Sequence, residues 1–231
     1  MLAILIFALV VLGLMMATTL TEGKHASESL ISEAPGNRSR ASITVASGAG
    51  EVGACTVLGK IKFGAISQAF SGTGNGAMGT LTRQATNCVV GDWKVRCTLA
   101  ITNSGRFEVI DPNGVSHGDA LVGSAFANGI GFTIADGGTD FVVGDTFTVT
   151  VAAGSGKYSP IDTAAVTGIQ NAAAICFEAI DATSADVEVA AFVRDCELLE
   201  DSIDWDDLDA GEITTAKAEL AELGIIIREA I

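Results

Sequence analysis

Two histidines, five cysteines, a run of carboxylates and two glycine-rich stretches are the residues of this 231-residue chain whose types could do chemistry. A histidine base needs a nucleophile and an orienting acid beside it. His25 and His117 lie far apart, and neither stands in a motif with Ser, Cys or an acid. The run Asp204-Trp-Asp-Asp-Leu-Asp-Ala-Gly-Glu212 has the oxygen ligands a hard cation wants, but Leu208 and Asp209 fill the fifth and sixth positions, where an EF-hand places a ligand and a glycine. A hydrated acidic loop is the expectation. Gly74-Asn-Gly-Ala-Met-Gly79 has the form G-x-G-x-x-G, yet it runs into Thr80-Leu-Thr-Arg-Gln, which patterns as a strand and offers a pyrophosphate no helix N-terminus. It reads as a flexible turn. Gly154-Ser-Gly-Lys157 fails as a phosphate cradle, because Val151 stands where the first glycine belongs and Tyr158 follows the lysine. Cys55, Cys88, Cys97, Cys176 and Cys196 are odd in number, widely spaced and without a C-x-x-C pair, against both a disulfide framework and structural zinc. Cys88 and Cys97 flank an expected hairpin at Gly91-Asp92 but are expected to stay thiols. The residues point to no catalytic group, no cofactor and no metal, and so to a protein that is not an enzyme.

The elements around these residues are those of a mainly β protein. At 48% hydrophobic the chain can bury a sizeable core, and Gly 27 with Pro 3 suits short strands joined by tight turns. Lys+Arg 13 against Asp+Glu 28 gives a net charge of -15, which argues against a broad hold on DNA or anionic lipid. After Arg194 the only cations are Lys217 and Arg228, so that acidic end should face water or a basic partner.

In chain order, Leu2 to Ala17 is almost continuously apolar, shorter than a bilayer span and without a basic residue before it. Three readings stay open: a signal peptide, a hydrophobic anchor or partner-packing helix, and an artefact of start-codon choice upstream of Met15 or Met16. Residues 18–41 are polar with no sustained period and read as an extended arm. Residues 42–62 alternate through Ile43 and Val45 to Thr56-Val-Leu-Gly-Lys-Ile61. From 63 to 155 the pattern is all β: Trp93–Ile101, Arg106–Ile110, Gly131–Ala135 and Phe147–Val151 read as strands, with turns at Asp111-Pro-Asn-Gly114 and Gly144-Asp145, and their spacing suggests a small sandwich. Residues 156–231 give Gly156-Lys-Tyr158, an apolar Ala172–Phe177, an Asp181-Ala-Thr turn and alternating Val187, Val189, Ala191 and Val193. A helix capped by Thr214 follows, with Ala216, Leu220 and Leu223 on one face and Gly224 at C′, and then a buried strand Ile225–Ile227.

The order Val-Leu-Gly-Lys, Gly-Lys-Tyr, Val193-Arg-Asp195, acidic loop and Leu223-Gly-Ile-Ile-Ile-Arg228 resembles the head decoration proteins of tailed bacteriophages, the lambda protein D family. In that family the first two motifs nearly adjoin, whereas here residues 63–155 separate them. The resemblance implies an α+β, mainly β fold: a decoration core made of 42–62 and 156–231, interrupted by an inserted sandwich-like domain. It further implies a homotrimer on the outer surface of the expanded capsid, present in the host cytoplasm during assembly, with no direct nucleic acid contact and no membrane partner. The arm would pair with the major capsid protein, with Leu20, Thr21, Glu22, Leu30, Ile31 and Ser32 as its gripping residues, and the insert would face outward towards neighbouring trimers or a host surface. The competing expectation is a membrane-tethered or exported β-sandwich adhesin, in which Leu2 to Ala17 is functional.

Overall fold

The computed structural model of the chain describes residues 22–35, 38–205 and 208–229. The N-terminal part carries β1 (Leu30–Glu33), β2 (Arg40–Val45), β3 (Glu51–Val52) and β4 (Val57–Lys60). The middle carries β5 (Phe63–Ser71), β6 (Ala77–Met78), β7 (Thr82–Arg83), β8 (Gly91–Ile101), β9 (Ser104–Ile110), β10 (Ser116–Leu121), β11 (Ala125–Asn128), β12 (Ile130–Ala135) and β13 (Thr146–Ala153). The last third adds β14 (Tyr158–Pro160), β15 (Ala172–Cys176), β16 (Ile180–Asp181), β17 (Val187–Phe192), β18 (Cys196–Leu199), helix α1 (Ala210–Glu222) and β19 (Ile225–Arg228).

Strands from both ends of the chain close a barrel in the order β14-β2-β17-β15-β4. Their alternation supplies two cores. Ile43, Val45, Leu58, Ala174, Val189 and Ala191 join one cluster. Val57, Ile175 and Phe192, one residue out of step, join another with Leu198, Ala216, Leu220 and Ile225, where α1 and the sheet β1-β18-β19 cover the barrel. Alanines at 174 and 191 keep the interior small enough for five strands to curve round it.

Between β4 and β14, a five-stranded sheet β10-β9-β8-β13-β5 and a smaller sheet β11-β12-β6, with β7 beside β12, share one core. Trp93, Val95 and Cys97 of β8, Phe107 and Val109 of β9 and Phe147, Val149 and Val151 of β13 meet Ile130, Phe132 and Ile134 of β12. Trp93 keeps its indole N–H satisfied on the Val89 carbonyl at 2.9 Å. The chain leaves and re-enters the barrel at adjacent points: Ile61 donates to the Lys157 carbonyl at 2.8 Å, Gly156 to Ile61 at 3.0 Å and Gly154 to Lys62 at 2.9 Å.

Five sequence expectations change. The turn expected at Gly91-Asp92 is strand, because burying Trp93 draws both residues into register with Val151 and Thr150; the β8–β9 hairpin turns instead at Asn103, φ 55°. The stretch expected to be a flexible turn at Gly74–Gly79 is packed: a Cβ on Gly76 would lie 2.3 Å from Phe141 Cζ and 2.5 Å from the Ala135 carbonyl, so glycine is there for close approach. The helix begins earlier than Thr214. Asp209 is its N-cap, accepting the Gly211 and Glu212 N–H groups while Glu212 reaches back to the Asp209 N–H. Leu223, expected on the buried face, is the C-cap and 41% exposed; Gly224 takes the left-handed C′ position at φ 81°. Finally, the polar arm expected over 18–41 ends sooner, since Ser29 and Ser39 are fully buried and β1 and β2 are sheet strands.

Candidate functional site

Residues 22–33 run from surface to core within a dozen positions. Glu22 is exposed and pairs with exposed His25 at 3.2 Å. Lys24 reaches the Ile203 carbonyl at 2.7 Å, and Ser27, at φ 57°, donates its N–H to Phe177 at 2.9 Å. These bonds start a turn that is followed by ladder pairing, in which Leu199 donates to the Ser29 carbonyl at 2.7 Å and Ala34 to Asp195 at 3.0 Å. β1 pairs antiparallel with β18, and its register slips between Leu30 and Ser32. Alternation turns Leu30 and Ile31 to opposite sides, and the register shift parts Ser32 from Leu30. Leu30 packs against the barrel-covering cluster, Ile31 projects outward at 51% exposure, and Ser32 donates to Glu197 at 3.0 Å. Leu20 and Thr21 lie outside the described residues. Of the residues expected to grip a partner, then, Glu22, Ile31 and Ser32 are exposed, Ser32 while bonded to Glu197, and Leu30 is turned against its own core.

Electrostatics fasten the same strand. Arg40 Nε donates to Glu33 at 2.8 Å and a second guanidinium nitrogen to the other Glu33 oxygen, while Ser39 Oγ donates at 2.6 Å. These bonds hold the Glu33 carboxyl below the usual carboxylate range. The Arg40 guanidinium also stacks 4.6 Å from the Phe177 ring centre and 5.6 Å from that of Phe192. Arg228, then Ser32, lowers Glu197 in the same way. Arg38 pairs with Asp195 at 2.8 Å. Fixed so, β1 is an outer strand whose far side carries no neighbour in the sheet among the described residues.

The residues considered for chemistry are used structurally. His117 Nε2 lies 3.4 Å from Asp111 Oδ2, and its ring packs 4.8 Å from Trp93, with no nucleophile in the arrangement. Asp145, 3% exposed, accepts the N–H groups of Thr73, Gly74 and Val142 at 2.9 to 3.0 Å; burial pushes its carboxyl up, but these donors outweigh burial and hold it low. Lys157 pairs with Asp186. Among the described residues no group of three or more His, Cys, Asp or Glu side chains could hold a metal ion, and all five cysteines are free. No helix among them is long and apolar enough to cross a membrane; Leu2 to Ala17 lies outside them. Lys60, Lys157 and Arg194, which stand in three separate sequence motifs, are brought by the barrel to one groove beside β2. The sequence reading did not join them, because the motifs are far apart in the chain.

A family model described as Bacteriophage lambda head decoration protein D matches residues 19–225. No curated protein matches the chain. Among solved structures, two crystal forms of Xanthomonas campestris FlgL are found at 18% identity and a TM-score of 0.31, over 49% of this chain. The chain spans 40% of the length of FlgL, and a likeness that low says nothing about fold or role.

Proposed function

Because the chain belongs to the bacteriophage lambda head decoration protein D family, we propose that it is a cement protein which binds the outside of the expanded head as a homotrimer and fastens shell subunits together. The family is one of structural phage proteins, not of enzymes. The observation that carries the reading is the extent of the match, which runs from the N-terminal segment through both halves of the barrel and α1. Further support comes from the way the N-terminal segment leaves the body. Upstream of buried Ser29 most residues are exposed, and Lys24 and Ser27 tether the exit.

The gripping arm is residues 18–28, with Leu20, Thr21 and Glu22 at its outer part and Ile31 as an apolar knob at its root. It adds as a strand to the major capsid protein, where backbone hydrogen bonds supply affinity and side chains fix register. Residues 63–155 are an insert in a decoration core formed by 42–62 and 156–231, attached where Ile61 and Gly156 are hydrogen-bonded. The insert faces away from the shell, towards neighbouring trimers or a host surface. A net charge of -15 suits a protein on the outer face, which need not touch packaged DNA.

The test removes residues 1–23, keeps Lys24 onward, and measures sedimentation of the protein with expanded heads alongside its own mass in solution. Loss of attachment with a folded trimer supports the reading. Undiminished attachment refutes the arm, and a monomer both free and head-bound refutes the trimer.

A further inference from the structure

The barrel is closed by its shortest strand, and that leaves a gap. β17 pairs with β2 in unbroken register from Val187↔Val45 to Phe192↔Arg40. On the other side β14 meets β2 at one pair only, Tyr158↔Val45. Residues 155–157 then turn towards β4, where Ile61 takes the Lys157 carbonyl. Among the described residues no strand lies along the outer edge of Ala41 to Thr44. A groove of about 520 Å³ opens there, bordered by Lys60, Lys157, Tyr158 and Arg194.

The charge of this groove is opposite to that of the chain. Lys60 lies 5.5 Å from the Tyr158 ring centre, and neither it nor Arg194 has a carboxylate within ion-pair distance among the described residues. Arg194 uses one nitrogen on the Arg38 carbonyl. Of the acids nearby, Asp186 is taken by Lys157, and Glu219 by Asn171 and the Ala172 N–H; Glu188, opposite Thr44 on β17, and Glu178 line the neighbouring hollow over Ala41 and Ser42, and Glu222 of α1 borders Lys60 on the far side. In a protein with 28 acids and 13 Lys and Arg, unpaired cations gathered on an open strand edge are a recognition surface for carboxylates.

We infer that the Ala41 to Thr44 edge of β2 is a second docking site, which takes an extended acidic segment of the shell subunit as an added strand. An open edge offers alternating backbone donors and acceptors, and the flanking lysines and arginine select an acidic sequence. The chain's own acidic residues are a poor fit as occupant. Glu200 to Ser202 is a 3-10 turn with Glu200 on Lys217, and Asp209 and Glu212 form the capping box of α1, so they do not present an extended strand. The inference rests on the decoration reading and adds a contact separate from the N-terminal arm.

Two measurements test it on the full chain bound to expanded heads. First, a photo-crosslinking amino acid replaces exposed Ser42; an adduct with the shell subunit is the expected result. An adduct with another copy of this chain, or none, overturns the inference. Second, the double variant Lys60→Glu with Arg194→Glu should bind heads at least tenfold more weakly than wild type, with a shallower salt dependence, while its circular dichroism and melting profile stay native. Binding within twofold of wild type overturns it. Should that variant not fold, Lys60→Gln with Arg194→Gln replaces it and is read on the same scale. If wild type itself does not bind heads, the decoration reading falls and this inference with it; if wild type binds and the variants match it, only the groove falls.

Discussion

Glu33 and Arg40 are joined by two parallel hydrogen bonds across the turn between β1 and β2, and the same guanidinium lies over Phe177. One ion pair thus ties the N-terminal strand to the barrel and separates the fixed part of the N-terminal region from the exposed part. Arg40→Ala removes a charge-assisted pair and a cation–π contact at a site about one third exposed, so a loss of about 1–2 kcal/mol is expected. Chemical denaturation would show it as a lower midpoint with unchanged slope; an unchanged midpoint contradicts the tie.

Acid should weaken the same region. Glu33, Glu197 and Asp186 are all held below their ordinary values, chiefly by Arg40, Arg228 and Lys157 respectively. A carboxyl lowered on folding adds stability that is fully present above its unfolded value, about 4, and is lost as pH falls through the lowered folded value. Melting temperature should therefore be flat from pH 7 to about 5 and fall below about 4. In Arg40→Ala the Glu33 share of that fall should shrink to the part that Ser39 supplies. A melting temperature that rises on acidification would overturn the assignment.

Asp145 gathers three N–H groups of two loops at the edge of the five-stranded sheet. Replacing it with alanine leaves those donors buried, with an expected cost of about 2–4 kcal/mol. Hydrogen exchange should show the loss in residues 63–155 first, and equal loss of protection in β17 and β15 would argue against a separate core there.

Gly76→Ala places a methyl group into Phe141 and the Ala135 carbonyl. The expected cost is about 2–4 kcal/mol by thermal unfolding. A neutral outcome would mean that the segment yields, as the sequence alone suggested.

The thiols should be quiet. Burial, then the charges of Glu33 and Asp195, pushes Cys196 up to about 12, and burial pushes Cys176 up to about 11. Cys55 and Cys97 are fully buried and Cys88 half-buried. A thiol titration at pH 8 should find at most Cys88 in the folded protein and all five in denaturant. Rapid modification of four or more in the native state would contradict the packing.

Much of this architecture was legible because period-2 alternation survives wherever one face of a strand is buried. Val187 to Ala191, Trp93 to Ile101 and Phe147 to Val151 announced themselves in that way. The two-core barrel was harder to read, since Val57 and Leu58 are both buried and the strand carries no alternation. Local cues misled where a distant residue decided the outcome. Gly91-Asp92 has the composition of a turn, but Trp93 two positions on requires a strand. Thr214 has the chemistry of a cap, but Asp209 with Glu212 makes the better box. In the arm, Leu30 and Ile31 are alike in sequence, and the alternation of β1 turns one inward and the other out, which only the placement of the strand against β18 decides. The basic groove is assembled from β2, β4 and two loops, so the three motifs that carry its cations gave no sign of meeting.

The paired crossings at Ile61 and Gly156 bear on how such a protein changes over time. Because the chain departs and returns within one hydrogen bond, the barrel senses only where the two ends of the intervening segment lie, not how long that segment is. A foreign sequence whose termini lie as close together as Ile61 and Gly156 finds its footing already built at this seam.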